Sequence, residues 1–268
     1  MTAIPDRAGY ALVTGGAVRL GAALVRRLAA DGWAVAIHYN SSAKEADALA
    51  AEIKGQGGRA ITVRADLAKV DDFTDLFGRA NAGWGFCSLL VNSASAFEYD
   101  DISNISRANL EKLFATNLHA PMLLARDFAK QLRDGSKGLI VNILDQKVFN
   151  PNPDFLSYTL TKHALEAATR LLAQAMAPTV RVAGIAPGLT LRSGDQTEQG
   201  FQEAHANTPL GFGSTPDDIA EALSFLTKVP SITGTTIVVD GGQHLEARSH
   251  DVMFSYGIDP SAPVGRKR

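Results

Sequence analysis

The stretch YALVTGGAVRLG, residues 10–21, joins an apolar run to a helical pattern through closely spaced glycines. Its first residues are typical of a buried strand, and segment 17–32 has the period of an amphipathic helix. Gly15, Gly16 and Gly21 permit a tight turn in which the N–H groups at the start of the helix approach a phosphate closely. After the first strand of an alternating chain, this spacing predicts a dinucleotide-binding turn.

Outward from this turn, β-rich apolar runs alternate with segments of helical period. Because the runs are almost continuously apolar, they predict a parallel sheet covered by helices on both faces. We therefore predict one α/β domain over residues 1–268, a Rossmann-type doubly wound parallel sheet of about seven strands. The predicted strands are 10–16, 33–40, 59–67, 87–95, 137–145, 180–188 and 235–242. The predicted helices are 17–32, 42–58, 69–80, 106–134, 156–177 and 215–228.

Two segments interrupt this alternation. Residues 189–214 form a polar, glycine-containing connection at the place where a substrate loop would lie, above the carboxyl ends of the strands. Residues 243–268 form a C-terminal tail without a strong period. Within this tail, Met253, Phe254 and Tyr256 could pack on the body of the protein or on a neighbouring subunit.

Composition limits the classes of function. With 46% hydrophobic residues and a formal net charge of -2, the chain lacks the basic surface expected for binding nucleic acid or acidic lipid. The single cysteine, Cys87, excludes an internal disulfide framework and is expected to be a small buried residue at the start of a strand. The six histidines lack metal-ligand spacing, so no metal is expected. Since no segment has the length of a signal peptide or a membrane span, we expect a cytoplasmic protein.

The end of the second strand, HYNSS at 38–42, bears on the choice of cofactor. An NAD site would place Asp or Glu here to hold the ribose 2′-hydroxyl, but this stretch contains no acid. His38, Asn40 and the two serines offer donors suited to a 2′-phosphate, which favours NADP(H). The alternative is an ordinary polar cap, with Ser41 or Ser42 as the N-cap of the next helix.

The chain resembles the short-chain dehydrogenase/reductase family over nearly its whole length. The resemblance depends on the order and spacing of TGGAVRLG (14–21), Asp66-Leu67, VNSAS (91–95), Asn117, YTLTK (158–162), APG (186–188) and VDGG (239–242). It implies the strand order 3-2-1-4-5-6-7, an NADP(H)-dependent oxidoreductase and a homotetramer paired through long helices. The cofactor contacts it implies are Gly15, Arg19, Leu20, Gly21, His38, Tyr39, Asn40, Ser41, Asp66, Leu67, Asn92, Ser93, Ala94, Tyr158, Lys162, Pro187, Gly188 and Leu189.

Departures from the family pattern narrow the resemblance. The family's serine, thirteen residues before the tyrosine, is Asp145 here, since 158 − 13 = 145. The middle glycine of the turn is Arg19, and the usual NNAG is replaced by NSAS at 92–95, followed by Phe97. With these residues, and with HY after the second strand, the chain resembles the pteridine reductase branch of the family. A pterin or folate-like small molecule is therefore the expected substrate.

The side chains themselves suit such a reduction. Tyr158 and Lys162 are four residues apart on a helix and face the same way, so the lysine is expected to lower the tyrosine pKa from about 10 and to assist proton delivery. A pterin has basic ring nitrogens, to which a carboxylic acid with a raised pKa, Asp145, could supply or relay a proton. Phe97 could stack on the ring. The resemblance implies that Asn117 helps to hold a water that links Lys162 to solvent.

Arg19 and Ser95 could hydrogen-bond the edge of the ring, with Arg19 also touching the pyrophosphate. Simpler roles remain open, because Asp145 could cap a turn, Phe97 could belong to the core and Arg19 could pair with a surface acid. The alternative functions are a reductase of ketones or 3-oxoacyl thioesters and a non-catalytic NADP-binding sensor or scaffold. The intact YTLTK motif and Asn117 disfavour the sensor.

Overall fold

Seven parallel strands form the centre of the molecule. The computed structural model describes residues 9–193 and 196–255. The strands lie in the order β3-β2-β1-β4-β5-β6-β7, so the predicted fold class and strand order are confirmed. Their bounds are β1 (Tyr10–Thr14), β2 (Ala34–Tyr39), β3 (Arg59–Arg64), β4 (Cys87–Asn92), β5 (Gly138–Ile143), β6 (Val180–Pro187) and β7 (Thr236–Val239).

Helices cover both faces of the sheet. Alternate residues of β1 enter two separate apolar clusters, with Ala11 and Val13 on one face and Tyr10 and Leu12 on the other. Burial on both faces is the physical reason for the continuously apolar strands. The helices are α1 (Arg19–Ala30), α2 (Ala43–Gly55), α3 (Val70–Phe73), α4 (Leu76–Arg79), α5 (Arg107–Phe114), α6 (Ala120–Gln131), α7 (Leu156–Met176), α8 (Glu198–Ala206) and α9 (Pro216–Lys228).

The long helix predicted over 106–134 is interrupted. A π turn, Ala115–His119, joins α5 to α6. Pro121, near the start of α6, has no N–H to donate to the carbonyl of residue 117, so regular α-helical bonding cannot continue through this point. The turn directs Asn117 toward α7, where its Nδ2 donates to Oγ1 of Thr161 at 3.0 Å.

Asp100 fixes the start of α7. The residue before this helix, Phe155, has a left-handed backbone (φ 54°, ψ 48°), which is sparsely populated by residues other than glycine. Buried Asp100 accepts the Ser157 N–H at 2.8 Å and also the Ser157 hydroxyl, while its main-chain carbonyl accepts the Leu156 N–H at 3.0 Å. Asn109 donates to the same carboxylate at 2.8 Å. These bonds satisfy N–H groups at the helix start that have no partner within the helix.

Cys87 begins β4 and is fully buried, in agreement with its predicted place at a strand start. Burial raises the pKa of its thiol. Among the described residues, none of the helices has the length and apolar character needed to cross a lipid bilayer. Within the same ranges, His, Cys, Asp and Glu side chains form no group of three suited to a metal ion.

We expect Asp100→Ala to lower the free energy of unfolding by about 2 kcal/mol, because the N–H and hydroxyl of Ser157 and the amide of Asn109 lose their acceptor. Urea denaturation followed by circular dichroism measures this change. The control is Asp71→Ala, which removes an exposed acid at the start of α3. Equal losses for the two variants would show that Asp100 has no special role in starting α7.

Candidate active site

A cleft of about 890 Å³ is bounded by the turn after β1, by loops that follow β2, β3, β4, β5 and β6, and by the C-terminal segment, residues 250–255. It lies beside β1, where the strand order reverses, which is the usual ligand position in a doubly wound sheet. The predicted site residues line this cleft, with the exceptions of Asn92 and Asn117.

These two asparagines are buried and make bonds within the protein. Asn92 donates to Oδ1 of Asn142 at 2.8 Å. Asn117 accepts the Ala96 N–H at 2.7 Å, and its amide donates to the Ala96 carbonyl at 2.9 Å and to Thr161. The two side chains join the loop after β4 to β5 and α7. The cofactor contact predicted for Asn92 and the water-holding role predicted for Asn117 stay predictions.

The turn after β1 packs closely against the loop after β4. At Gly15 a Cβ would lie 2.8 Å from Cα of Ala94, and at Gly21 it would lie 2.0 Å from the carbonyl oxygen of Gly15. Neither position can hold a side chain without a shift of the backbone. Oγ1 of Thr14 accepts the N–H groups of Ser93 and Ala94 at 3.0 and 3.1 Å, which joins the two walls of the cleft.

His38 has a different role from the one predicted. It is buried, its Nδ1 accepts the Gly15 N–H at 3.1 Å, and its Nε2 lies 3.1 Å from the carbonyl oxygen of Ala65. Since Nδ1 is an acceptor, the ring is neutral and carries its proton on Nε2. Burial lowers the pKa of His38 to about 4. His38 is therefore not a free donor for a 2′-phosphate; it fixes the glycine turn.

The other polar residues at the end of β2 face the cleft. Tyr39, Asn40, Ser41 and Ser42 all line it, and the stretch contributes no carboxylate. Ser42 occupies the N-cap position of α2, but its side chain accepts no capping hydrogen bond. Its hydroxyl thus remains available to a ligand.

Asp145 and Tyr158 meet at the base of the cleft. The Tyr158 hydroxyl donates to Oδ2 of Asp145 at 2.8 Å, while the Lys147 N–H donates to Oδ1 of the same carboxylate at 2.9 Å. Asp145 therefore both caps the turn after β5 and contacts the tyrosine, so the two roles considered from the sequence coexist. Asp145 follows β5 closely and Tyr158 lies in the first turn of α7.

Burial controls the protonation of this site. It raises the pKa of Asp145, and together with the charge of Asp145 it raises the pKa of Tyr158. The prediction that Lys162 lowers the Tyr158 pKa is wrong in this structure. The Lys162 ammonium donates to the Ile143 carbonyl at 2.9 Å and lies 5.5 Å from the Tyr158 ring centroid, and burial lowers its own pKa to about 8. The Asp145 carboxyl is accordingly the stronger acid of the Asp–Tyr pair.

Phe97 forms an exposed aromatic surface in the cleft. It is 42% exposed, so it is not a core residue. One face stacks on Phe155 with centroids 4.4 Å apart and an interplanar angle of 20°, and the ring meets Tyr158 edge-on at 4.7 Å. Phe97 is therefore available to a flat ring beside the Tyr158 hydroxyl. Ser95 also lines the cleft and is exposed.

Arg19 joins the glycine turn to the predicted substrate loop. Its backbone is left-handed (φ 52°), and its guanidinium donates to the carbonyl of Arg192 at 2.9 Å rather than to an acid. This loop contains α8. Leu189, the first residue of the loop, donates its N–H to Oε1 of Gln243 at 2.9 Å.

The C-terminal segment supplies residues that the sequence analysis missed. Asp251, Val252 and Met253 line the cleft. Met253 and Phe254 pack on the body of the same chain, against Leu113, Phe155 and Tyr158. Tyr256, considered with them, lies outside the described residues. Gln146 and Lys147 also line the cleft, and their one sequence signal was adjacency to Asp145.

Comparison with known proteins places the chain in a family. The short chain dehydrogenase family matches residues 9–202, and the chain belongs to this family of oxidoreductases.

Its relatives include pterin and folate reductases. FolM alternative dihydrofolate reductase 1 from Brucella canis, solved in complex with NADP, is 42% identical with a TM-score of 0.88, and the match covers 93% of this chain and 99% of that one. The Brucella suis protein of the same name, also with NADP, is 43% identical with a TM-score of 0.86, over 90% and 96% of the two chains. Pteridine reductase 1 from Leishmania tarentolae is 34% identical over 91% of this chain and 99% of its own. The predicted resemblance to the pteridine reductase branch is confirmed.

We expect the titration of His38 to lower the free energy of unfolding of the wild-type protein by up to about 3 kcal/mol as pH falls from about 6.5 to about 4. The unfolded histidine binds a proton in this window, whereas the buried ring stays neutral, so its contribution is present above pH 6.5 and lost below. Urea denaturation across this range measures the effect.

The control for this measurement is His38→Gln, which keeps an amide acceptor and donor but does not titrate. The difference between wild type and variant isolates His38 from Asp145, whose raised pKa makes stability fall as pH rises. A difference that stays constant from pH 6.5 to pH 4 would contradict the assigned role.

Proposed function

We propose that this chain is an NADPH-dependent reductase of a pteridine, taking a dihydropterin such as dihydromonapterin, or dihydrofolate. The observation that carries the proposal is the 2.8 Å hydrogen bond between Tyr158 and the half-buried carboxyl of Asp145, beside the exposed ring of Phe97. The names of the FolM and pteridine reductase relatives support the same substrate class.

The cleft fits a dinucleotide with a 2′-phosphate. Gly15 and Gly21 leave no room for side chains where the pyrophosphate would approach the turn, and Arg19 provides a cation beside it. Two features favour NADP over NAD: the Ser42 hydroxyl does not cap α2, and residues 38–42 contain no carboxylate. When bound, NADPH would supply the hydride.

The protein would supply the proton. Asp145 has a raised pKa, so it retains a proton closer to neutral pH than an exposed aspartate does. Transfer of that proton to a ring nitrogen, directly or through the Tyr158 hydroxyl, leaves a carboxylate that the Lys147 N–H and the tyrosine stabilise. Proton return from solvent would reset the pair.

The flat substrate would lie against Phe97, because one face of that ring is already supported by Phe155. Arg19 and Ser95, which line the same cleft, would hydrogen-bond the edge of the heterocycle. The expected cytoplasmic location stays a prediction, as does the homotetramer that the family resemblance implies.

We expect Asp145→Ser to lower kcat/KM for 7,8-dihydrobiopterin or dihydrofolate by at least about a hundred-fold, because serine is not a carboxylic acid. The affinity for NADPH, measured by its fluorescence, should change by less than about three-fold, since the substitution leaves the glycine turn intact. Steady-state NADPH oxidation measures the effect on turnover.

Two controls sharpen this experiment. Asp145→Asn keeps the shape of the side chain but cannot donate an acid proton, so it should be as slow as the serine variant. Acetoacetyl thioesters and simple ketones test the other reductase function. Intact pterin reduction together with faster ketone turnover in Asp145→Ser would refute the pteridine assignment.

A further inference from the structure

The side chain of Lys147 is a buried cation with no role yet assigned; only its main-chain N–H contacts the proton donor, Asp145. Its side chain is 3% exposed, and its Nζ donates to the carbonyl of Asp154 at 2.9 Å and to the carboxylate of Asp251 at 2.8 Å. The ammonium also lies 5.3 Å from the ring centroid of Phe155. A buried ammonium is tolerated when it is paired and hydrogen-bonded, and here both conditions are met.

The partner of Lys147 organises the C-terminal segment, residues 250–255. The Asp251 N–H donates to the Asp154 carboxylate at 2.6 Å, and Oδ1 of Asp251 accepts the Met253 N–H at 3.0 Å. His250 lies 3.4 Å from the same Asp154 carboxylate. The turn Val252–Ser255 therefore directly follows a residue, Asp251, that is held both by its side chain and by its main chain.

The docked segment supports the ring that faces the substrate. Phe254 stacks on Phe155 with an interplanar angle of 13°, and Phe155 stacks on Phe97. Tyr99 meets both Phe155 and Phe254 edge-on. Three stacked rings thus extend from the C-terminal segment to the cleft, so displacement of Phe254 would remove the support beneath Phe155.

Lys147 joins this segment to the proton donor. Its main-chain N–H binds Oδ1 of Asp145, while its side chain binds Asp251. We propose that Lys147 is a positioning residue which, paired with Asp251, docks the chain's own C-terminal segment as a wall of the pteridine cleft. The proposal is founded on the proposed function and adds the residues that determine how that substrate is held.

Charge balance predicts which substitutions matter. The carboxylates of Asp145, Asp154 and Asp251 and the cations Lys147 and Lys162 face this region, with Tyr158 between them and His250 at its exposed edge. Loss of the Lys147 charge removes the cation paired with Asp251 and leaves its carboxylate beside that of Asp154, which favours release of the segment into water.

The test uses the full chain with NADPH bound and 7,8-dihydrobiopterin as the probe. We expect Lys147→Met and Asp251→Asn each to raise the KM for the pterin about ten-fold or more, with the NADPH affinity changed by less than about three-fold. Hydrogen exchange should show lost protection at the amides of Asp251, Met253 and Phe254. Lys147→Arg, which keeps the charge, should recover most of the affinity.

Coupling between the two residues gives a second criterion. If they act through one ion pair, the double variant should be no worse than Lys147→Met alone. The matched control is Lys130→Met, which removes an exposed lysine on α6 that pairs with Asp127. This variant should leave the pterin KM and the segment's exchange unchanged.

Several results would overturn the proposal. One is an unchanged pterin KM, with the amides at 251–254 still protected, in Asp251→Asn. This variant is expected to fold, because the side chain of Asp251 lies at the edge of the core. Another is an equal loss of pterin and NADPH binding, which a general packing defect would cause. Absence of pterin turnover in wild type would instead refute the proposed function, while the exchange measurement would still decide whether Lys147 docks the segment.

Discussion

The hydrogen bond between Asp145 and Tyr158 is the interaction on which the site depends. Its two ends belong to different elements, the turn after β5 and the first turn of α7. Each end is held independently, Asp145 by the Lys147 N–H and the start of α7 by the buried Asp100. A bond anchored in this way loses little conformational freedom when a ligand arrives, which is the condition for efficient proton transfer.

Burial, more than pairwise charge, determines the chemistry of this cleft. The pKa of Asp145 and of Tyr158 is raised, and the pKa of Lys162 and of His38 is lowered, so every one of these shifts favours the uncharged form. Burial therefore keeps Asp145 and Tyr158 protonated to higher pH, while Lys162, with a pKa of about 8, is still a cation at neutral pH. Such a site suits a substrate that arrives neutral and takes up a proton.

The sequence predicts the sheet because burial on two faces produces continuous apolar strands. The pairing of Asp145 with Tyr158 is predicted by the family resemblance, in which the residue thirteen before the tyrosine belongs to the site. The break at the π turn was missed because the helical period continues across Pro121, whose missing N–H has no effect on periodicity. Such a break depends on one backbone donor rather than on the pattern.

Other features depend on contacts between distant residues and leave no local pattern. Lys147 and Asp251 are 104 residues apart, and nothing near either one indicates the other. The role of His38 was also misjudged, because the direction of a polar side chain at a strand end depends on what covers it, here the glycine turn and Ala65.

The buried cysteine has a practical consequence. Cys87 is the single thiol of the chain, it is fully covered at the start of β4, and burial keeps it protonated. The thiolate is the form that attacks alkylating reagents, so the folded protein resists labelling while an unfolded molecule reacts. The rate at which Cys87 reacts therefore measures unfolding of the native chain. A cysteine introduced on the surface would carry a fluorophore or spin label without competition from a second site.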